Sequence, residues 1–235
     1  MKSFITPSVP FAERWIIAMK LYIIRHGETD WNKARRVQGH SDIPLNDYGR
    51  HLAEETAEGL RDVKFDLAYT SPLVRAKETA EIVLDGRNIP LIEEDGIKEL
   101  GFGAYEGMCC SGEHKASESD AFNKFFTDTA NYVPAEGGES IRHLLDRTEQ
   151  FLEKLYRTES LQDKTILLST HGAAMTALLN NIKGKCEIAD FWQQGVPANC
   201  AVTIVEVHNG IPKITDENLI YYKEAVKTWK VEKNT

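Results

Sequence analysis

No stretch of this sequence comes near the roughly 20 apolar residues that a membrane-spanning helix needs. Cysteine is scarce: Cys109, Cys110, Cys186 and Cys200 are the four in 235 residues. Adjacent Cys109 and Cys110 cannot readily bridge each other, and neither a Cys-x-x-Cys pair nor a Cys/His metal spacing occurs. A disulfide framework is not expected, and free thiols in a reducing cytoplasm are. Basic residues are in deficit, 28 Lys and Arg against 36 Asp and Glu, which leaves a formal charge of -8. That balance argues against nucleic acid or an anionic membrane surface as partner. A small anionic substrate is still compatible, because a pocket on an acidic protein can be locally positive.

What is present is ordinary for a globular chain: 42% apolar and 27% charged residues, enough length to bury a sizeable core, and no internal repeat. Residues 1–18 hold Pro7, Pro10, Glu13 and Arg14 and lack the continuous apolar segment of a secretory signal. At Met19 the chain restarts as Met-Lys-Leu-Tyr-Ile-Ile. We read 1–18 as an N-terminal extension outside the fold, 19–235 as one domain, and about 101–138 as a lid inserted in it.

The pattern along the domain alternates. Leu21–Ile24 predicts a buried strand, 47–61 a helix, Phe65–Tyr69 a strand, and Ser71-Pro72 the cap and first residue of a helix that Asp85-Gly86 stops. Ile89–Ile92 predicts a short strand. A helix over about 140–157 follows, apolar at Ile141, Leu144, Leu145, Phe151, Leu152 and Leu155. Thr165–Ser169 predicts a strand, 173–181 a helix, and Cys200–Val207 a strand that Asn209-Gly210 turns toward Lys213–Thr215. Strands alternating with helices imply a three-layer, doubly wound α/β fold: a mostly parallel sheet with helices on both faces. Ligands of such sheets sit beyond the carboxyl ends of the strands.

Four segments deliver reactive side chains to that edge. Arg25-His26-Gly27 follows the first strand, Arg75 stands in the first turn after Ser71-Pro72, Ser169-Thr170-His171-Gly172 ends another strand, and Glu99 opens the lid. Two arginines, two histidines and a carboxylate suit phosphoryl transfer, in which charge spreads over the equatorial oxygens. Guanidinium forks match those oxygens, and backbone N–H groups at helix starts after Gly27 and Gly172 add positive potential. A neutral imidazole is a competent nucleophile; a carboxyl group protonates the leaving oxygen and later takes a proton from water. Zinc on His26 and His171 is the competing reading, disfavoured because Arg25 and Arg75 would repel a cation there. No metal and no cofactor are expected.

Leu21-Tyr22-Ile23-Ile24-Arg25-His26-Gly27-Glu28-Thr29-Asp30-Trp31-Asn32 resembles the opening signature of the histidine phosphatase superfamily, the phosphoglycerate mutase-like proteins. Tyr69-Thr70-Ser71-Pro72-Leu73-Val74-Arg75-Ala76 and Ser169-Thr170-His171-Gly172 are similar to its second-arginine and second-histidine segments. The resemblance spans Met19 to about Glu206. It implies that His26 is phosphorylated, that Arg25, Arg75 and His171 form the phosphate pocket, and that Glu99 is the proton donor. It also implies that Asn32 touches the phosphate and that Gln38, in Gln38-Gly39-His40-Ser41-Asp42-Ile43-Pro44-Leu45, binds substrate.

Phosphatases and mutases share this fold, so the choice rests on the site. A mutase must hold a second anionic group and calls for cations in the lid. No arginine lies between Arg87 and Arg142, and Lys115 and Lys124 are the only lysines from Gly101 to Ser140. The same stretch carries Glu106, Glu113, Glu118, Asp120, Asp128, Glu136 and Glu139. Phe102-Gly103-Ala104-Tyr105-Glu106-Gly107 resembles the phosphatase branch. The expectation is a phosphatase of small phosphate monoesters, with the phosphoglycerate mutase as alternative and a catalytically silent binding protein as a further one. Phe102, Tyr105, Phe122, Phe125, Phe126 and Tyr132 are read chiefly as packing for the lid, with contact to an apolar leaving group open. A homodimer is possible, pairing across a sheet edge at Cys200–Val207 or at Ile220–Trp229.

Overall fold

The computed structural model describes residues 18–184, 187–223 and 225. The readings of residues 1–17, of Cys186 and of half of Ile220–Trp229 lie outside the described residues.

Among the described residues six strands form one sheet: β1 (Met19–Arg25), β2 (Leu67–Thr70), β3 (Leu91–Glu93), β4 (Thr165–Thr170), β5 (Val202–His208) and β6 (Ile211–Leu219). Their order is β3-β2-β4-β1-β5-β6. The first four run parallel, while β5 pairs antiparallel with β1 and β6 antiparallel with β5. The sheet is therefore mixed rather than simply parallel. Of Cys200–Val207, the part from Val202 onward lies in β5, paired with β1 on one side and β6 on the other, so it offers no free edge for dimer pairing. Asn209 and Gly210 both adopt positive φ, 53° and 77°, as a tight two-residue hairpin between β5 and β6 requires.

Among the described residues six α-helices accompany the sheet: α1 (Asp30–Lys33), α2 (Asp47–Gly59), α3 (Val74–Leu84), α4 (Ser119–Thr127), α5 (Ile141–Arg157) and α6 (Gly172–Lys183). Alternation along β1 sends Leu21 and Ile23 to one face, against Phe151, Leu152 and Leu155 of α5 and Met175 and Leu178 of α6. Ile24 goes to the other, with Leu52 of α2 and Ala80, Val83 and Leu84 of α3. That is the three-layer arrangement expected from the alternating pattern. Ser140 caps α5 by accepting from the His143 N–H at 3.2 Å.

The start of α3 differs from the reading. Its N-cap is Leu73, and Ser71-Pro72 lies outside the helix. Asp42, from a distant loop, accepts the Val74 N–H at 2.7 Å in place of a local cap. Ser71 is thereby released for another partner, described below.

The lid is sewn to the domain. Phe102, Phe122 and Phe125 are 5%, 2% and 1% exposed and join Leu100, Ile141, Leu144 and Ala177 in a third cluster. Full burial of such a side chain is worth about 1.5–3 kcal/mol, so several together hold residues 101–138 firmly against the domain. At its base Phe102 and Gly138 form a bridge, and Glu139 N–H donates to Gly101 O at 2.7 Å.

Register fixes where the chemistry sits. Arg25 pairs with Thr170, and Thr70 with Ser169. His26, Ser71 and His171 thus leave three adjacent parallel strands at one edge; His26 N–H donates to Thr170 O at 2.9 Å and Ser71 N–H to Ser169 O at 3.0 Å.

Candidate active site

His26 is 3% exposed and His171 fully buried, with ring centroids 5.1 Å apart. The His26 Nδ1 lies 2.6 Å from Gly27 O. A carbonyl only accepts, so Nδ1 carries the proton and Nε2 keeps a lone pair. Burial, then the charges of Arg75 and Arg25, hold the His26 pKa well below the usual 6.5, against a smaller opposing contribution from the Gly27 carbonyl. His171 is depressed in the same way, by burial first, then by Arg75.

A cavity of about 70 Å³ opens beside this ring, lined by Arg25, His26, Asn32, Gln38, Glu99 and Gly172 on one side. One water needs about 10–15 Å³ of such space, so a group of several heavy atoms fits. Two buried donors in this wall have no partner among the described residues: Arg25 Nε and Gln38 Nε2. Arg25 is tethered through Nη1 to Pro197 O. Gln38 is oriented by Thr29, whose hydroxyl donates to Oε1 at 2.7 Å, and more weakly by Asn32 Nδ2 at 3.4 Å. Orphaned buried donors are costly, about 1–3 kcal/mol each, and are expected only where something accepts from them. Gly172 keeps the space open: a Cβ there would stand 3.6 Å from Arg25 Nε.

Arg75 and His171 are close by but do not line the cavity. Arg75, fully buried, spends its donors within the protein: Nε on His171 Nδ1 at 3.1 Å, Nη1 on Ser41 O at 3.0 Å and Nη2 on Gly39 O at 2.7 Å. Burial lowers its pKa to about 10, leaving it charged at neutral pH. Because Arg75 donates to His171 Nδ1, the His171 proton sits on Nε2 and is donated to Ser71 Oγ at 2.7 Å. Arg75 and His171 back the His26 wall and fix the loop over it.

Helix starts are also used differently. Glu99, 6% exposed, accepts from Ala173 N–H at 3.2 Å and Ala174 N–H at 3.0 Å at the start of α6, and from Leu100 N–H at 2.9 Å. A carboxylate, not a free anion site, occupies that helix end. After Gly27 there is only the one-turn α1, and the Gly27 N–H goes to Thr79 Oγ1 at 3.0 Å.

Several contributors escaped the sequence reading. Asn199, just before β5, donates to His26 O at 2.9 Å. Glu106 receives His40 N–H at 2.7 Å, Ser41 N–H at 2.6 Å, Ser41 hydroxyl at 2.5 Å and Phe102 N–H at 3.2 Å, clamping the 39–41 loop. Burial alone would raise the Glu106 pKa, yet these hydrogen bonds together hold it below its usual value. The outer cavity wall is Phe102, Phe122, Phe125, Phe126 and Trp192, with Arg36 as a cation from outside the lid. Tyr105 and Tyr132 take no part in it. Among the described residues no cluster of three or more His, Cys, Asp or Glu is arranged to hold a metal ion.

Fold and site together define an α/β protein with a small cavity beside a buried, neutral imidazole. The chain belongs to the histidine phosphatase superfamily, branch 1, whose profile matches residues 21–219. It is 37% identical over 162 residues to a Bacillus subtilis protein named as the uncharacterized phosphatase PhoE, covering 69% of this chain and 76% of that one. It is 32% identical over 168 residues to a Cytophaga hutchinsonii 2,3-bisphosphoglycerate-dependent phosphoglycerate mutase, 69% and 76% covered. The solved Bacillus stearothermophilus YhfR superimposes with a TM-score of 0.75 at 31% identity, over 85% of this chain and 96% of that one. Among the described residues no helix is long and apolar enough to cross a membrane.

Proposed function

We propose that this chain is a phosphatase that hydrolyses small phosphate monoesters through a phosphohistidine on His26. One observation carries the reading: Arg25 Nε and Gln38 Nε2, buried and unpartnered, line the same cavity as His26 and Glu99. His26 Nε2 attacks phosphorus, and the P–O bond to the alcohol breaks as Glu99 protonates the departing oxygen. Water then attacks the phosphohistidine, Glu99 takes its proton, and inorganic phosphate leaves with Nε2 restored. Arg25 and Gln38 donate to the phosphoryl oxygens throughout, with Asn32 and Gly172 shaping the pocket. Arg75 and His171 keep the wall rigid, and the charge of Arg75 keeps the potential positive.

His26→Ala assayed on p-nitrophenyl phosphate tests the assignment, together with acid-stable and acid-labile phosphate counted on rapidly quenched enzyme. The expected result is loss of turnover and of an acid-labile phosphoenzyme. Turnover equal to wild type overturns it. The donor set favours an anion over a cation, so chelation with EDTA is expected to leave the rate unchanged.

The mutase reading gains one residue, because Arg36 stands at the outer cavity wall, which Lys115 and Lys124 of the lid do not line. The aromatic remainder of the outer wall offers no further charge to a bisphosphorylated substrate, and hydrolysis remains the better fit. Counting isomerised and hydrolysed products separately on 3-phosphoglycerate decides between them: isomerisation faster than hydrolysis of every monoester tried would favour the mutase.

A further inference from the structure

Glu99 is gripped at its main chain as well as at its carboxylate. Its carbonyl oxygen accepts from His40 Nε2 at 2.9 Å and from Arg147 Nη2 at 3.1 Å. Neither residue lines the catalytic cavity; both line a separate cleft on the surface with Lys98, Gly101 and Glu139. Arg147 reaches in from α5 and is itself locked. Its Nε and Nη2 fork onto Glu139 at 2.7 and 3.0 Å, and Nη1 donates to Gly96 O at 3.0 Å.

The pair is largely buried, with side chains 16% and 10% exposed. Glu139 stands at the far end of the lid and also receives the Gly101 N–H at 3.3 Å. One fork thus ties together the two ends of the lid and the backbone of Glu99. A buried ion pair is weak evidence for stability, since apolar replacements often do as well. What a bidentate Arg–carboxylate pair supplies is fixed geometry. His40 reaches the same carbonyl from the loop before α2, seated on Gly101, where an added Cβ would stand 3.1 Å from its ring.

We propose that Arg147, braced by Glu139, and His40 are positioning residues for the proton donor, holding the Glu99 backbone so that its carboxyl meets the leaving oxygen. This rests on the reading of Glu99 as that donor. Protonation matters for a poor leaving group and little for one that departs as a stable anion. Misplacing Glu99 therefore penalises alkyl esters selectively, whereas general loosening of the fold slows every substrate alike.

The experiment compares kcat/KM on β-glycerophosphate and p-nitrophenyl phosphate for wild type, Glu99→Gln, Arg147→Lys and His40→Gln. Glu99→Gln is expected to lower the alkyl-to-aryl ratio by about a hundredfold or more. Arg147→Lys is expected to lower it by about tenfold, on the same scale of general-acid contributions. His40→Gln shifts the ratio in the same direction by less, and it carries the test if Arg147→Lys fails to fold. Equal slowing of both substrates by the Arg147 and His40 variants, with Glu99→Gln still separating them, overturns the proposal alone. If Glu99→Gln does not separate them, the donor assignment falls and the proposal with it.

Discussion

Arg75 Nε donates to His171 Nδ1 at 3.1 Å, and this one bond decides how the second imidazole is used. It forces the proton onto Nε2 and commits that proton to Ser71 Oγ. Ser71→Ala would strand a buried N–H, at a cost of about 1–3 kcal/mol, and loosen the ring packed 5.1 Å from His26. The expected outcome is that loss in urea unfolding together with a lowered kcat. Ser71→Thr, which keeps the hydroxyl, is expected to recover much of both. Unchanged stability in Ser71→Ala would show that the bond is not formed.

Both histidines have pKa values well below 6.5 in the folded chain. An unfolded chain takes up protons near 6.5 that the folded chain refuses. Folding is therefore favoured above that pH and loses stability as the pH falls through 6.5 toward the folded values. Unfolding midpoints at pH 7.5 and 5 are expected to differ more in wild type than in His171→Gln. Activity follows the same logic: neutral His26 persists in mild acid, so protonation of the nucleophile should not cut kcat/KM near pH 6.5. An acid limb at 6.5 that tracks His26 would contradict the burial described here.

Gly39 is packed where no side chain fits. A Cβ there would lie 2.3 Å from Glu106 Oε1, 2.7 Å from Leu100 O and 2.8 Å from Phe102 N, and two of those atoms are backbone. Gly39→Ala is expected to destabilise by about 1–3 kcal/mol. It should also slow turnover, because the displaced loop supplies the carbonyls of Gly39 and Ser41 that anchor Arg75. Thermal unfolding and kcat measured together check this; an active variant with wild-type stability would refute the clamp by Glu106.

Most of the frame was legible before the structure. Short apolar or β-rich runs located β1 and β4, helical apolar spacing located α5, and the strand ends pointed to His26 and His171, because those patterns are local. What was missed came from partners distant in sequence. Asp42 caps α3 across a loop, so a local cap at Ser71 was a false inference from a sound rule. Asn199 precedes β5, and only the antiparallel direction of that strand brings its beginning, rather than its end, to the active edge. Arg36 and Gln38 are neighbours in sequence but differ in depth: Gln38 is buried under Thr29, whereas Arg36 is exposed at the cavity wall. Burial of that kind is set by packing, which no short motif encodes.

Arg36 leads to the last prediction. It donates from Nη1 to Gly107 O at 3.1 Å and otherwise faces the cavity mouth beside an aromatic wall. A phosphate held by Arg25 and Gln38 needs no help from it, but a second anionic group on the alcohol would meet it. An exposed charge pair is worth about 0.2–1 kcal/mol and one partly shielded by aromatic walls more. Arg36→Gln is therefore expected to lower kcat/KM for 3-phosphoglycerate relative to p-nitrophenyl phosphate by about three- to tenfold, chiefly through KM. The effect should shrink as salt rises, because the residue is open to solvent. If the ratio between the two substrates does not move, Arg36 serves only to hold Gly107, and the cavity recognises the phosphate and an apolar body without a second charge.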